Sequence, residues 1–318
     1  MTAGLAETNE HPRWTTRFRT RFGPANKLGH LRVWIVSAFL FALLLLQPAG
    51  CGPRDEDGIS SSAPPGEPRN LNEIVESISA NAAKLNTALW SSNVSATARF
   101  RDDKHKEHVF NVDGNLLFVK PRDFRMDLRP GLGAQIIGVG SNQETFWVWI
   151  EPEVRVMRWG YHRNADRSCS EKMPIRPDQL ISALVIGGLP DSSSGLSGPV
   201  LQAGKHYDIL PYTASSTGER RQYYVERAPP YLVRVVRLQN AAGRDVMSAS
   251  MESFKPAWSG GPLLPHAVSI FWPLDDAKFT MRIGSYRSRT HQEVSQKAFV
   301  MPTWESLPSS IKEIIQVD

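Results

Sequence analysis

Two hydrophobic periods divide the chain. Leu71, Ile74, Val75, Ile78, Ala82, Leu85 and Leu89 recur at the three-and-four spacing of a helix face, behind Asn70-x-x-Glu73, a capping-box-like start. This predicts a helix from Asn70 to about Leu89. From Asn93 the period becomes two. Val94, Ala96, Ala98 and Phe100 alternate with polar neighbours, "RDDKHKEH" reads as a charged turn, and Phe110, Val112, Gly114, Leu116 and Phe118 resume the alternation. Phe124, Met126 and Leu128, then "AQIIGVG", "ETFWVWIE" and "VRVMRW", bring the set to six short strands. The pattern breaks at 160–204, where "QLISALVIGGL" after Pro177-Asp178 reads as a short helix, apolar nearly all round. Strands resume with "KHYDIL", "RQYYVER", "YLVRVVRLQ", "DVMSASMESF", "HAVSIFW" and "KFTMRIGSY", with "AAGR" as a hairpin turn. "PSSIKEIIQVD" closes the chain as a strand and a helical turn. The predicted class is mostly β (α+β).

The first seventy residues follow neither period. Val33–Leu46 is uncharged and apolar, behind Arg13, Arg17, Arg19, Arg21, Lys27 and Arg32. A basic flank, a short apolar core and small residues before a cut site make a secretory signal. The core is short for a membrane span, which needs about 20 apolar residues. Ala49-Gly50-Cys51 resembles the end of a bacterial lipobox, which implies cleavage before Cys51 and a lipid on it. Pro48 stands where that motif prefers Leu. A plain signal peptide and a retained anchor stretching to Gly50 are the alternatives. Residues 52–69, "GPRDEDGISSSAPPGEPR", are too polar to bury a core and read as a disordered tether. The expected organisation is a lipoprotein signal peptide at 1–50, lipidated Cys51 and linker at 51–69, and a folded domain at 70–318.

Removing the leader changes the charge picture. The whole chain is formally +5, but residues 51–318 carry thirty-one basic against thirty acidic residues. A nucleic-acid binder would keep a basic excess in its folded part, so nucleic acid is not an expected partner. With Cys51 acylated, Cys169 stands alone: no intrachain disulfide and no zinc spacing are available.

The motifs that could carry catalysis or a metal are incomplete, so the expectation is a non-enzyme with no catalytic residues, no metal and no cofactor. "GLSGP" at 195–199 lacks a glycine of the nucleophile elbow. His105 and His108 flank a charged turn and read as solvated. "GLGAQIIGVG" neither follows a Rossmann-like unit nor opens a helix; its glycines suggest bulges or a mobile loop. Glu151/Glu153 and Asp275/Asp276 read as strand-end solvation.

The aromatics carry the positive signal. "TFWVWIE" puts Phe146 and Val148 on one face of a strand and Trp147 and Trp149 on the other. A strand with one face to water alternates with polar residues; this one does not. One reading is a large core. The other is a cavity for an apolar ligand, lined by Phe146, Trp147 and Trp149 and closed by Leu180 and Leu184 of the short apolar helix.

The element order, together with "VDGNLLFVKPRDFRMDL" at 112–128 (Gly114, Pro121, Phe124, Arg125) and "GSNQETFWVW" at 140–149, resembles the LolA/LolB-like family of lipoprotein carriers and receptors. The likeness covers about 70–240 well and 241–300 by strand pattern. It implies an unclosed antiparallel β-barrel of about eleven strands, with an N-terminal helix and a short plugging helix over an apolar cavity that takes acyl chains. It also implies a leucine-tipped loop that touches membrane; Leu132, between Gly131 and Gly133, stands at that place, its other reading being an ordinary turn residue. The domain is longer than the family's receptor, with 160–176 and 188–204 looking inserted. The expected protein is a lipid-anchored envelope lipoprotein. Its partners are the membrane through Cys51, lipid or acyl chains, and other lipoproteins or an envelope protein. Gly52 after the cysteine favours the outer membrane. The rival is a non-catalytic protein-binding module or sensor on the same fold.

Overall fold

The computed structural model describes residues 70–317, apart from 103–104, 132, 134, 152–153, 165–174, 191–195, 205 and 215–217. Cys51, the leader, the linker and Leu132 lie outside the described residues.

The first element is helix α1, Leu71–Ala83, whose N-cap Asn70 accepts a hydrogen bond from the Asn72 amide at 2.9 Å. It ends earlier than the apolar spacing predicts. Leu85 and Leu89 fit a helix stripe, yet Ala88 opens a fourteen-residue strand; Leu89 is buried in that strand and Leu85 in the connection before it.

Strands β1 (Ala88–Arg101), β2 (Glu107–Val119), β3 (Asp123–Arg129), β4 (Ile137–Ser141), β5 (Thr145–Ile150) and β6 (Val156–Tyr161) form an antiparallel meander. The short helix follows as α2, Pro177–Leu184. Two-residue strands β7 (Leu196–Ser197) and β8 (Gln202–Ala203) lead into a second meander, β9 (Tyr207–Ala214), β10 (Arg220–Glu226), β11 (Val233–Gln239) and β12 (Asp245–Glu252). A small ribbon, β13 (Lys255–Pro256) and β14 (Leu263–Leu264), precedes β15 (Ala267–Trp272) and β16 (Ala277–Ile283). Then come β17 (Arg287–Arg289), three short 3-10 turns and β18 (Glu313–Gln316).

Pairing of β1 with β16 joins the two meanders into one sheet, ordered β18-β6-β5-β4-β3-β2-β1-β16-β15-β12-β11-β10-β9-β7. The two ends of that order do not pair among the described residues. This is the expected unclosed antiparallel sheet with an N-terminal helix and a short plugging helix. It has sixteen strands rather than about eleven, because the short edge pieces and β17 and β18 add to the long strands. β18 is the exception in direction: it lies parallel to β6.

The alternation read from the sequence sets the two faces. Val94, Ala96, Ala98, Phe100, Val112, Leu116, Phe118, Phe124, Met126 and Leu128 all point inward into one continuous core. Strand β5 is buried at every position for a reason that lies far away in sequence. Its inner residues Phe146, Val148 and Ile150 join that core, while its outer residues Trp147 and Trp149 form a separate cluster with Met157 and Ile311. The C-terminal segment crosses the outer face as a belt. Phe299 and Val294 pack over Ala88 and Val119, then Met301, Leu307, Ile311 and Ile314 cover the tryptophans.

The glycines of β4 belong to this outer cluster. They are neither bulges nor a loop. A Cβ on Gly140 would fall inside the Trp147 indole, and one on Gly138 inside that of Trp149. A strand glycine often marks such close approach.

Two further expectations are corrected. His108 is buried on the inner side of the β1–β2 hairpin, its Nε2 3.0 Å from Asp102 Oδ2 and its ring parallel to Phe110 at 6.2 Å. The alternation of β2 points it inward, and the nearby charges do not outweigh that. Glu151 is buried as well, and burial raises its pKa above the ordinary carboxylate range.

Candidate functional site

The apolar inner face of the open sheet is covered by α2 and α1. Residues 177, 179–181 and 183–184 of α2 are buried, so the helix has hardly a polar side, and such a helix must lie against apolar surface all round. It spans the interior, touching β4 and β5 on one side and β11, β12 and β15 on the other. Leu180 and Leu184 therefore share one core with Phe146. The structure brings these three expected lining residues together. It does not place Trp147 and Trp149 with them, since both lie on the opposite face of the sheet beneath the belt.

Polar anchors hold α2. Trp272 Nε1 donates to Gln179 Oε1, with both residues buried. At the N-terminus, Arg176 grips Asp178 with two hydrogen bonds, 3.1 and 2.8 Å, and its guanidinium lies 5.8 Å from the Phe146 ring centre. Burial works against the Asp178 carboxylate, yet the Arg176 charge and hydrogen bonds, helped by His162 and Arg221, hold its pKa below the ordinary value. The helix ends on Val185 at φ 53°, a left-handed conformation that a β-branched residue adopts at a cost.

Ser141, His162 and Asp178 share this corner, but their geometry is not that of a nucleophile and its base. His162 Nε2 lies 3.0 Å from the Asn142 carbonyl and 3.0 Å from Ser141 Oγ. A carbonyl oxygen only accepts, so Nε2 carries the proton and is no base for Ser141. Ser141 is itself fully buried.

Helix α1 is held differently. Ile74 and Ile78 are its buried residues, Leu71 and Val75 pack half-buried against the same core, and polar contacts hold its periphery. The Asn81 amide pairs with the backbone of Leu263, accepting at 2.8 Å and donating at 3.0 Å. Tyr231 donates to Glu73 at 2.6 Å, Ser77 to the Pro230 carbonyl at 3.2 Å, and Lys120 Nζ to the Ala82 carbonyl at 2.7 Å. Beneath α1, between Ile78, Leu184, Val185, Tyr231, Phe254 and Leu263, lies a gap of about 30 Å³. That is about one water's share of liquid volume, against about 300–1,000 Å³ for pockets that hold drug-sized ligands. An open hollow of about 500 Å³ lies on the outer face of β1, β16, β15 and β12, but Ser95, Thr97, Ser250, Ser269 and Thr280 floor it with hydroxyls.

The interior is not uniformly apolar. Tyr212 and Tyr223 meet edge-on at 5.6 Å on the inner face of β9 and β10, and burial pushes the Tyr212 phenol up to about 12. The anchors Gln179–Trp272, Arg176–Asp178 and Asn81–Leu263 were not foreseen in the sequence. The one visible sign was a glutamine and an aspartate inside an otherwise apolar helix. Among the described residues no helix is long and apolar enough to cross a membrane, and no group of acidic, histidine or cysteine side chains could hold a metal.

No family model and no curated protein matches this sequence. Three solved structures align with it at TM-scores below 0.5. A LolA superfamily protein from Nitrosomonas europaea has 11% identity and a TM-score of 0.45, covering 74% of this chain and 99% of its own. A domain described as an outer-membrane lipoprotein-sorting protein, from Vibrio parahaemolyticus, has 9% identity and a TM-score of 0.46, covering 72% and 97%. A DUF1329 family protein from Desulfovibrio piger has 12% identity and a TM-score of 0.46, with the same coverage. What the interior binds has to be read from its own residues.

Proposed function

We propose that the half-barrel binds an acyl chain, of a lipid or of a lipoprotein, on its inner face beneath α1 and α2, in a protein tethered to the cell envelope through a lipid on Cys51. In this reading residues 1–50 are a signal peptide, 51–69 a tether, and the outer membrane is the favoured site. One observation carries the proposal. The apolar concave face is closed by two short helices in place of further sheet, and α1 fully buries two side chains, with Leu71 and Val75 half-buried and its rim held by polar contacts. Polar latches exchange with water at small net cost, about 0.5–1.5 kcal/mol each, so α1 can lift without unfolding the sheet. Phe146, Leu180 and Leu184 then line the space that opens.

The filled interior favours a second reading, a protein-binding module whose inner face is plain core. Binding of a fluorescent fatty acid to the full-length protein separates the two. The wild type should bind saturably. Leu184→Asp should lose that binding while thermal unfolding stays cooperative. A wild type that binds no such probe leaves the protein-binding module as the better account. The tether has its own test: an alkyne fatty acid fed to cells should label the wild type and not Cys51→Ser, and equal label on both refutes lipidation at Cys51.

A further inference from the structure

Beside the start of β1, two guanidinium groups flank an indole and two lysines stand on the adjoining segments. Strand β17 pairs with the start of β1, placing Arg287 opposite Trp90 and Arg289 opposite Ala88. The two guanidinium carbons lie 5.8 and 4.1 Å from the Trp90 ring centre. Thr87 and Ser288, with hydroxyls 2.6 Å apart, tie β17 to the segment leaving α1, where Lys84 is exposed. Lys297, also exposed, stands on the 3-10 turn whose Phe299 packs on Ala88. None of the four cations forms an ion pair with a described acid. The carboxylate that acts on Arg289 is Glu293, already occupied by the Thr290 amide and hydroxyl at 2.7 and 3.0 Å. Asp123, nearby on β3, accepts from Gln143. Val300, 58% exposed, projects one residue beyond Phe299.

This is a net positive corner, four cations against the Glu293 and Asp123 carboxylates, on a domain whose charges otherwise nearly balance. We propose that it is a docking surface for an anionic lipid bilayer, which sets the start of β1 against the membrane. Phosphate headgroups match guanidinium donors whose faces are held by an indole. A tryptophan and a protruding aliphatic residue suit the boundary between headgroups and acyl chains. An acidic protein is the less fitting partner, because the corner has no buried apolar centre around which a protein interface packs. The surface does not depend on what the interior holds.

Hydrogen exchange of the full-length protein, mixed with nanodiscs of phosphatidylcholine alone or with about one-third phosphatidylglycerol, tests this. Amides of residues 287–300 should exchange roughly tenfold more slowly on the anionic discs. The protection should vanish in about 1 M salt, where the Debye length is about 3 Å. It should also vanish in Arg287→Glu/Arg289→Glu/Lys297→Glu. If that variant misfolds, Arg287→Gln/Lys297→Gln should retain the fold and lose most of the protection. Equal exchange on the two disc types overturns the proposal, as does protection that survives these substitutions.

Discussion

At the scale of single residues, two glycines make a graded test of packing. Gly140 faces the Trp147 side chain, whereas a Cβ on Gly114 would run into the backbone carbonyl of Asp127 on β3. An indole can tilt, but a paired strand cannot move without breaking its ladder. Overfilling a packed site costs about 1–3 kcal/mol, so Gly140→Ala should fall in that range and Gly114→Ala at or above its top. At about 2–4 °C per kcal/mol for a domain of this size, thermal unfolding should rank the two. A Gly140→Ala variant less stable than Gly114→Ala contradicts this picture. His162 supplies a second residue-scale test. Burial, the largest influence, lowers its pKa below the ordinary 6.5; Arg122 and Arg176 push the same way, and Asp178 and the Asn142 carbonyl partly offset them. The folded ring thus binds a proton less readily than the unfolded chain. Stability from the neutral ring is whole above about pH 6.5 and is lost as pH falls from there toward the lowered folded value. Between about pH 7.5 and about pH 5 the wild type should lose more stability than His162→Gln. Equal losses in urea unfolding at the two pH values refute this role.

At the scale of elements, much was legible because period and burial coincide. The six strands of the first meander follow the alternation of Val94–Phe100, Val112–Phe118 and Phe124–Leu128, since a one-residue slip would turn each apolar set outward. Asn240 and Gly243 close the β11–β12 hairpin where "AAGR" suggested, with Gly243 at φ 75°. The helix stripe overruns the end of α1 because Leu85, in the connection, and Leu89, at the start of β1, are both buried at helical spacing. The aromatic strand was read as apolar on both faces, and it is. What covers its outer face was not legible, since Ile311 reaches Trp147 from more than a hundred and sixty residues away. Local pattern reports that a face is buried, not what buries it. The same limit hid the site's anchors: nothing near Gln179 in the sequence announces Trp272, or near Asn81, Leu263.

At the scale of the whole molecule, the belt and the helices divide the labour. The belt covers the outer face of the β1–β6 half around Trp147 and Trp149, which leaves the joint between α1 and the Pro230–Tyr231 turn and β14 as the place to open. If acyl chains enter there, tying α1 to its rim must block them. The Asn81 amide already reaches both backbone groups of Leu263, so a disulfide between cysteines at 81 and 263, in a Cys169→Ser background, would tie α1 to its rim. Oxidised Asn81→Cys/Leu263→Cys should melt at least as high as its reduced form, because a cross-link restricts the unfolded chain. It should take up a fluorescent fatty acid far more slowly than the reduced form, and reduction should restore the rate. Its protection on anionic nanodiscs should be unchanged, since Lys84, Arg287, Arg289 and Lys297 lie outside the lock. Uptake that is equally fast with the bridge closed means that the chain enters elsewhere and that α1 is no lid.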